Sequence, residues 1–251
     1  MGALWDGLIN GLGSFLILLH NATEGIFGRF AWGWAIILLT FSVRLILLPL
    51  AIKQTNSMRA MQKVQPEIKK IQAKYKVDRA LMRTNPDKYR ARKQKQQEAM
   101  MALYKEHNVN PAASCLPLLL QMPILFALYR VLLHQVPKDA PFYLIGSLSE
   151  SRAAQGLTAA TLGVFVLLIV MAVTQFITQR QMTLRQPSST PEQAQQQKVM
   201  LYAMPAMITV FGFTLPAGVL LYWVSQNLWM MAQQYVMFRD MKPVAASSVK
   251  S

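Results

Sequence analysis

The sequence predicts an all-α integral membrane protein: five transmembrane helices around a hydrophilic groove, an N-terminal interfacial amphipathic helix and a cytosolic helical hairpin. Three observations lead there. Hydrophobic residues make up 53% of the 251 residues and the mean hydropathy is +0.25, too apolar for an ordinary water-soluble domain. The formal net charge is nevertheless +15, and fifteen of the 26 Lys and Arg fall between Ala51 and Ala113, so the charge is gathered into one loop. Five apolar segments, each approaching the ~20 residues that cross a hydrocarbon core, flank that loop.

Residues 1–25 are read as the extracytoplasmic interfacial helix. Trp5, Leu8, Ile9, Leu12, Phe15, Leu16 and Leu19 recur by threes and fours, which makes one apolar stripe. The segment is too short and too polar on its far side to span, and Asn21-Ala22-Thr23-Glu24-Gly25 is expected to end it. No Lys or Arg precedes Arg29, which argues against a secretory signal with a basic start, and Asp6 stands where a myristoylation site requires Ser or Thr. The single cysteine, Cys115, can form no intrachain disulfide and is expected to pack as a small hydrophobe.

The first span is placed at 26–52. Inside it, Thr40-Phe41-Ser42-Val43-Arg44 sets a guanidinium in an apolar run, where a charge costs roughly 2.5 to 3.5 kcal/mol on insertion scales and so faces water or a partner. Snorkelling is the plainer alternative: Ile52 is eight positions on, about 12 Å along the helix. Thr40 lies one turn before Arg44 on the same face. The remaining spans are placed at 114–134, 157–178, 199–215 and 217–238. The fourth is the shortest and contains Pro205, and only Pro216 and its neighbours separate it from the fifth, a tight hairpin.

Basic residues orient the chain. The loop at 53–113, the stretch 179–198 and the short tail 239–251 carry nearly all of them, whereas the opposite side has only Arg29, Lys138 and Arg152. The positive-inside rule therefore puts the N-terminus outside and the C-terminus in the cytosol, with Arg130 snorkelling outward. Within the large loop, Met61, Val64, Ile68, Ile71 and Tyr75 form a seam, and Asn85-Pro86 offers a cap followed by proline at the first helical position. Two antiparallel helices, 53–83 and 86–107, are expected, with a nearly polar second arm between Tyr89 and Ala99 that leaves the pair mobile. The charge suits ribosomal RNA, anionic lipid headgroups or acidic chains alike.

Chemistry of other kinds is missing from the pattern. His20, His107 and His134 stand apart from one another and from any carboxylate cluster, and no metal, nucleotide or dinucleotide motif occurs, so no metal and no cofactor are expected. No span carries an acidic residue, which disfavours a proton relay or an aspartyl protease. The polar groups inside the spans are instead amides, hydroxyls and one guanidinium: Gln175 and Gln179 on one face of the third span, and Tyr222, Ser225, Gln226 and Asn227 in the fifth. Each alone reads as an interhelical hydrogen bond, and together with Thr40 and Arg44 they can line a wet cavity.

Four stretches in order carry a resemblance: Thr40 to Arg44 with Pro49; Met100-Met101-Ala102-Leu103-Tyr104 with Asn110-Pro111; Cys115-Leu116-Pro117-Leu118-Leu119-Leu120-Gln121-Met122-Pro123-Ile124 with Ala127-Leu128-Tyr129; and Pro216-Ala217-Gly218-Val219-Leu220-Leu221-Tyr222-Trp223 with Asn227 and Gln233-Gln234. From about Gly33 to Arg239 the chain resembles the YidC/Oxa/Alb family of membrane protein insertases. The resemblance implies a five-helix core whose groove opens to the cytosol and to lipid but is closed outward. Arg44 matches the positive charge of that groove and Thr40 its neighbour; Gln179, with Gln175 one turn away, matches the groove glutamine of the third span; Tyr222 and Trp223 match the aromatic pair that contacts a passing client helix.

By the same resemblance, the hairpin captures clients and the basic tail can meet the ribosome. Membrane lipids and a Sec-type translocon are further partners, DNA is not, and nothing is hydrolysed. The setting is a bacterial plasma membrane. Three departures stand out: Ser114 where many relatives have Gly, a longer hairpin with extra basic residues from Arg79 to Lys95, and a short N-terminal segment, from which the large extracytoplasmic domain of some members is not expected, with a short tail that weakens the inference of strong ribosome binding. The sixteen methionines, five of them in the cytosolic loop, suit contact with varied apolar clients, although core packing accounts for those in the spans equally well. A rival reading, a small-solute channel or transporter in which Arg44 selects anions, requires a continuous path, yet apart from Arg130, which snorkels outward, no second intramembrane charge lies toward the outer half, and no inverted repeat is evident. A lipid-modifying enzyme lacks a nucleophile with its base.

Overall fold

The computed structural model describes residues 2–75, 83–110, 116–149, 161–185 and 191–239; Cys115, the segment around Arg79 and the tail from residue 240 lie outside the described residues. Among the described residues the elements are α1 (Gly2–Phe27), a 3-10 turn (Gly28–Phe30), α2 (Ala31–Ile46), α3 (Leu48–Lys74), α4 (Pro86–Glu106), α5 (Leu116–Gln135), α6 (Leu162–Arg185), α7 (Pro191–Gly212) and α8 (Ala217–Phe238). The only extended pairing among them is an isolated bridge between Phe142 and Ile145.

α8 is the hub. Ala217 to Tyr222 and Val224 to Asn227 are buried, as expected of a helix packed on several sides: α2 and α6 flank it, and α5 and α3 also reach it. Leu16, Ile36, Leu39, Leu128, Leu132, Leu148, Met171 and Leu220 join α1, α2, α5, α6, α8 and the 136–149 loop in one core. The outside of the bundle is apolar as well, with Ile46, Ile169, Val173, Val210, Phe211 and Val236 all exposed. A bundle apolar within and without is solvated by lipid. By length and hydropathy, the stretches Gly2–Ile46 and Leu162–Arg185 are each sufficient to cross a membrane.

Helix ends differ from expectation where the backbone, not hydropathy, decides. α1 does not stop within Asn21 to Gly25 but runs to Phe27, since the Thr23 hydroxyl donates to the Leu19 carbonyl (2.8 Å) and stays inside the helix. The turn comes at Gly28, whose φ of 50° is readily open only to glycine. α1 then lies against α2 and α5, with His20 stacked on Trp32 at 3.9 Å and Gly13 against the amide of Gln135. The apolar run expected as one helix to residue 52 is broken at Leu47, because Pro49 has no N–H to give the Leu45 carbonyl. The hairpin's first arm therefore begins at Leu48 rather than at residue 53. Pro205 does not break α7: it is buried inside the helix, and the Thr209 hydroxyl donates to its carbonyl at 2.8 Å.

The hairpin arms pack through one half only. Met61, Val64 and Ile68 of α3 meet Met100, Leu103 and Tyr104 of α4, while Tyr75 lies outside that cluster beneath the Lys74 ammonium. Asn85 caps α4 by accepting from the Lys88 N–H at 3.1 Å. Toward the tip, α4 from Tyr89 to Ala99 contributes no residue to the apolar cluster.

The 136–149 loop seals the end of the bundle where α2, α6 and α8 begin. The loop is folded on itself by Leu148 N–H to the Ala140 carbonyl (2.9 Å), Ser149 to the Pro137 carbonyl (3.1 Å) and Ser147 to the Lys138 carbonyl (2.5 Å). Three helices present a glycine to it: Gly33 faces the Phe142 ring, Gly163 the backbone of Leu144, and Gly218 the Leu148 carbonyl. Gly218 also donates its N–H to that carbonyl at 2.7 Å. Side chains at these positions would hold the loop away.

Candidate functional site: a half-buried arginine and the recess below it

Arg44 sits in the last turn of α2, and the guanidinium turns into the bundle. Its Nη2 donates to Gln121 Oε1 at 3.4 Å, and Gln121 Nε2 donates to the Tyr222 hydroxyl at 2.7 Å. One polar chain thus ties α2, α5 and α8 together, with Gln121 using its two ends for two helices. No carboxylate pairs with Arg44 among the described residues. A charge held by neutral partners keeps most of its capacity to attract an anion.

A second polar set joins α6 to α8. Trp223 Nε1 donates to Gln175 Oε1 at 3.1 Å, and Asn227 Nδ2 donates to the Thr174 hydroxyl at 3.2 Å. Thr174 in turn donates to the Val170 carbonyl at 2.7 Å. Interhelical bonds of this kind contribute on the order of 0.6 kcal/mol each in membranes. Thr40 stands apart from both sets: it is 1% exposed and its hydroxyl donates to the Ile36 carbonyl at 2.7 Å, so it lies near Arg44 without lining open space. Gln179 is half-buried and joins neither chain of bonds.

Below Arg44 lies a recess of about 80 Å³, several times the ~10–15 Å³ that one water requires. Four methionines (Met58, Met182, Met230, Met237) and three glutamines (Gln54, Gln233, Gln234) line it together with Arg44. The wall comes from α3, α6 and α8. Sequence reasoning missed Gln121, Thr174 and this wall. The signal was present in α8, where Met230, Gln233, Gln234 and Met237 recur by threes and fours down one face. Gln121→Leu, which removes the link between Arg44 and Tyr222, is expected to destabilise the bundle by about 0.6 kcal/mol for each bond lost, seen as a small fall in the unfolding temperature in detergent.

The architecture, lipid-solvated outside and charged in a recess within, is that of a multi-pass helical membrane protein. The profile of the 60Kd inner membrane protein family matches residues 22–244, and the chain belongs to that family. It is 36% identical over 253 residues to the membrane protein insertase YidC of Streptomyces avermitilis, covering 90% of this chain and 56% of that protein. The membrane protein insertase YidC 1 of Halalkalibacterium halodurans is 36% identical, covering 92% and 78%, and the membrane protein insertase MisCA of Bacillus subtilis 37%, covering 82% and 69%. A crystal structure described as an active YidC insertase with its first transmembrane domain resolved superposes with a TM-score of 0.62 at 32% identity, covering 92% of this chain and 46% of that one. The chain thus spans about half the length of the Streptomyces protein and of the crystallised one.

Proposed function

We propose that this protein is a membrane protein insertase of a bacterial plasma membrane, which takes client segments from the cytosolic side through the recess beneath Arg44 and releases them to lipid without hydrolysing nucleotide. The observation that carries the reading is the pairing of Arg44 with neutral Gln121, itself bonded to Tyr222, inside an apolar bundle. A client's polar terminus has less hydrocarbon to cross when it enters a hydrated recess, and its acidic residues find a transient partner in Arg44. Trp223, half-buried on α8, offers aromatic surface along which the client's apolar span moves outward, while Tyr222 beside it is buried and backs that surface from within the bundle. Burial of that span in lipid supplies the free energy.

On this reading α2, α5, α6, α7 and α8 are the five spans, the N-terminus is outside and the tail is cytosolic, and α1 lies at the outer interface. The loop at 136–149 then closes the outer end, which favours one-sided entry over the continuous path that an anion channel requires. Clients are nascent or newly made membrane proteins, and ribosome and Sec-type translocon are further partners met through the basic hairpin and tail.

The test is reconstitution of the purified protein in liposomes with a small single-span client whose outer tail is acidic. Protease protection of that tail is the expected result. Well-folded protein that protects no client yet passes anions would overturn the reading. Deleting residues 79–95 is expected to leave the bundle's unfolding transition in place, because the α3–α4 cluster ends at Ile71 and begins again at Met100, while reducing insertion several-fold through loss of the basic surface.

A further inference from the structure

We propose that Arg59 and Gln62 are positioning residues that latch the hairpin's first arm across the recess beneath Arg44, with the break at Leu47 as the hinge. The inference deepens the insertase reading and rests on it for its consequence, though not for its geometry.

The last carbonyls of any helix lack partners within it, and that end carries partial negative charge. Two such ends meet at the recess. Arg59 Nη2 donates to the Met237 carbonyl in the last turn of α8 (2.5 Å), and Gln62 Nε2 donates to the Arg185 carbonyl at the end of α6 (2.7 Å). Arg59 and Gln62 are three apart on α3 and share a face, which continues through Met58 and Thr55. Met58 packs with Phe238, Met182 and Met237, and Thr55 lies with its hydroxyl 3.4 Å from the Met237 sulfur. One face of a hairpin helix thus caps two helices of the bundle.

The position of the recess along α3 gives this contact its meaning. Every α3 residue that lines it, namely Ala51, Gln54, Thr55 and Met58, falls between the helix break at Leu47 and the caps at Arg59 and Gln62. Hinge and first cap are twelve residues apart, about 18 Å of helix. Swinging α3 about Leu47 breaks two hydrogen bonds to carbonyls, the weaker one from Thr55 to the Met237 sulfur and one small apolar contact, and removes a whole wall from beneath Arg44. The basic hairpin lies beyond the latch on the same helix, which continues past Pro66 to Lys74, so a ligand on its charged arms is coupled to Arg59 and Gln62 through α3. A ligand of the hairpin that favours the released position opens the recess in proportion to its preference for that state.

The experiment reads the wall directly and uses no client. In the full-length protein in nanodiscs, with Cys115→Ser, Gln54→Cys reports reaction with a water-soluble maleimide. Arg59→Ala with Gln62→Ala is expected to speed that reaction about thirtyfold, the low end of losing a hydrogen bond to a charged group together with a neutral one. Arg59→Lys, which keeps a cationic donor for the Met237 carbonyl, is expected to stay close to wild type, and Lys63→Ala, an exposed charge on the same helix, to change nothing. Equal rates in wild type and the double variant would overturn the proposal, as would equal acceleration by Lys63→Ala. Should the double variant fail to fold, Gln62→Ala alone is expected to give a partial acceleration, and an unchanged rate there also overturns it. Wild type that shows the expected labelling but inserts no client would strike down the insertase reading and leave the latch standing.

Discussion

Replacing Arg44 by alanine is expected to cut the protected yield of a client with an acidic outer tail about tenfold, a loss of roughly 1.4 kcal/mol. Unit charges 4 Å apart attract by about 4 kcal/mol at an effective dielectric near 20, and water in the recess removes part of that. The attraction is available because the guanidinium is engaged by the Gln121 amide and not by a carboxylate that would first have to leave. Arg44→Lys keeps the charge and is expected to stay within about twofold of wild type, since the interaction is with a mobile, transient anion and not a fixed planar partner. A client with a neutral tail should not distinguish the variants. The assay is protease protection in proteoliposomes, and normal insertion of the acidic client by both variants would reduce Arg44 to a residue reaching for the headgroups.

Gly163→Val is expected to be the most damaging substitution outside the recess. A Cβ at Gly163 runs into the backbone of Leu144, which cannot turn aside as a side chain can. Overpacking costs typically ~1–3 kcal/mol even where side chains can adjust, so a loss at or above the top of that range is expected, seen as a lowered unfolding temperature by tryptophan fluorescence in detergent. Gly33→Ala meets the Phe142 ring and should lie in between. Gly13→Ala meets only the tip of Gln135, a flexible side chain at the end of α5, and should be nearly silent. If the three variants unfold alike, the loop is not held by these close approaches.

Apolar periodicity was enough to read an all-helical chain and the contacts of Met61, Val64 and Ile68 with α4, because both depend on which residues avoid water, but it also put Tyr75 in that seam, where it does not lie. It could not find the break at Leu47, since Pro49 is as apolar as its neighbours and differs only in lacking a donor. Helical spacing placed Thr40 on the face of Arg44 but could not tell that its hydroxyl turns back to Ile36. Gln121 was visible only as one amide in an apolar motif; its role depends on Arg44 and Tyr222, 77 and 101 positions away. Arg59 and Gln62 read as two more polar residues of a basic loop, because nothing local reports that two helix ends lie above them.

The clasp between Gly218 and Leu148 also fixes an order of assembly. The Leu148 carbonyl receives the Gly218 N–H from a residue made about 70 positions later, at the start of the last helix. At synthesis rates of ~5–20 residues per second, the loop therefore waits roughly 4–14 s for its partner. During that interval α1 can pair with α2 and α5, but the seal at this end of the bundle cannot be completed. On the insertase reading, a protein that helps others into the bilayer thus has a late-closing step of its own, and ribosomal pausing near the final helix should lengthen the life of an unsealed intermediate.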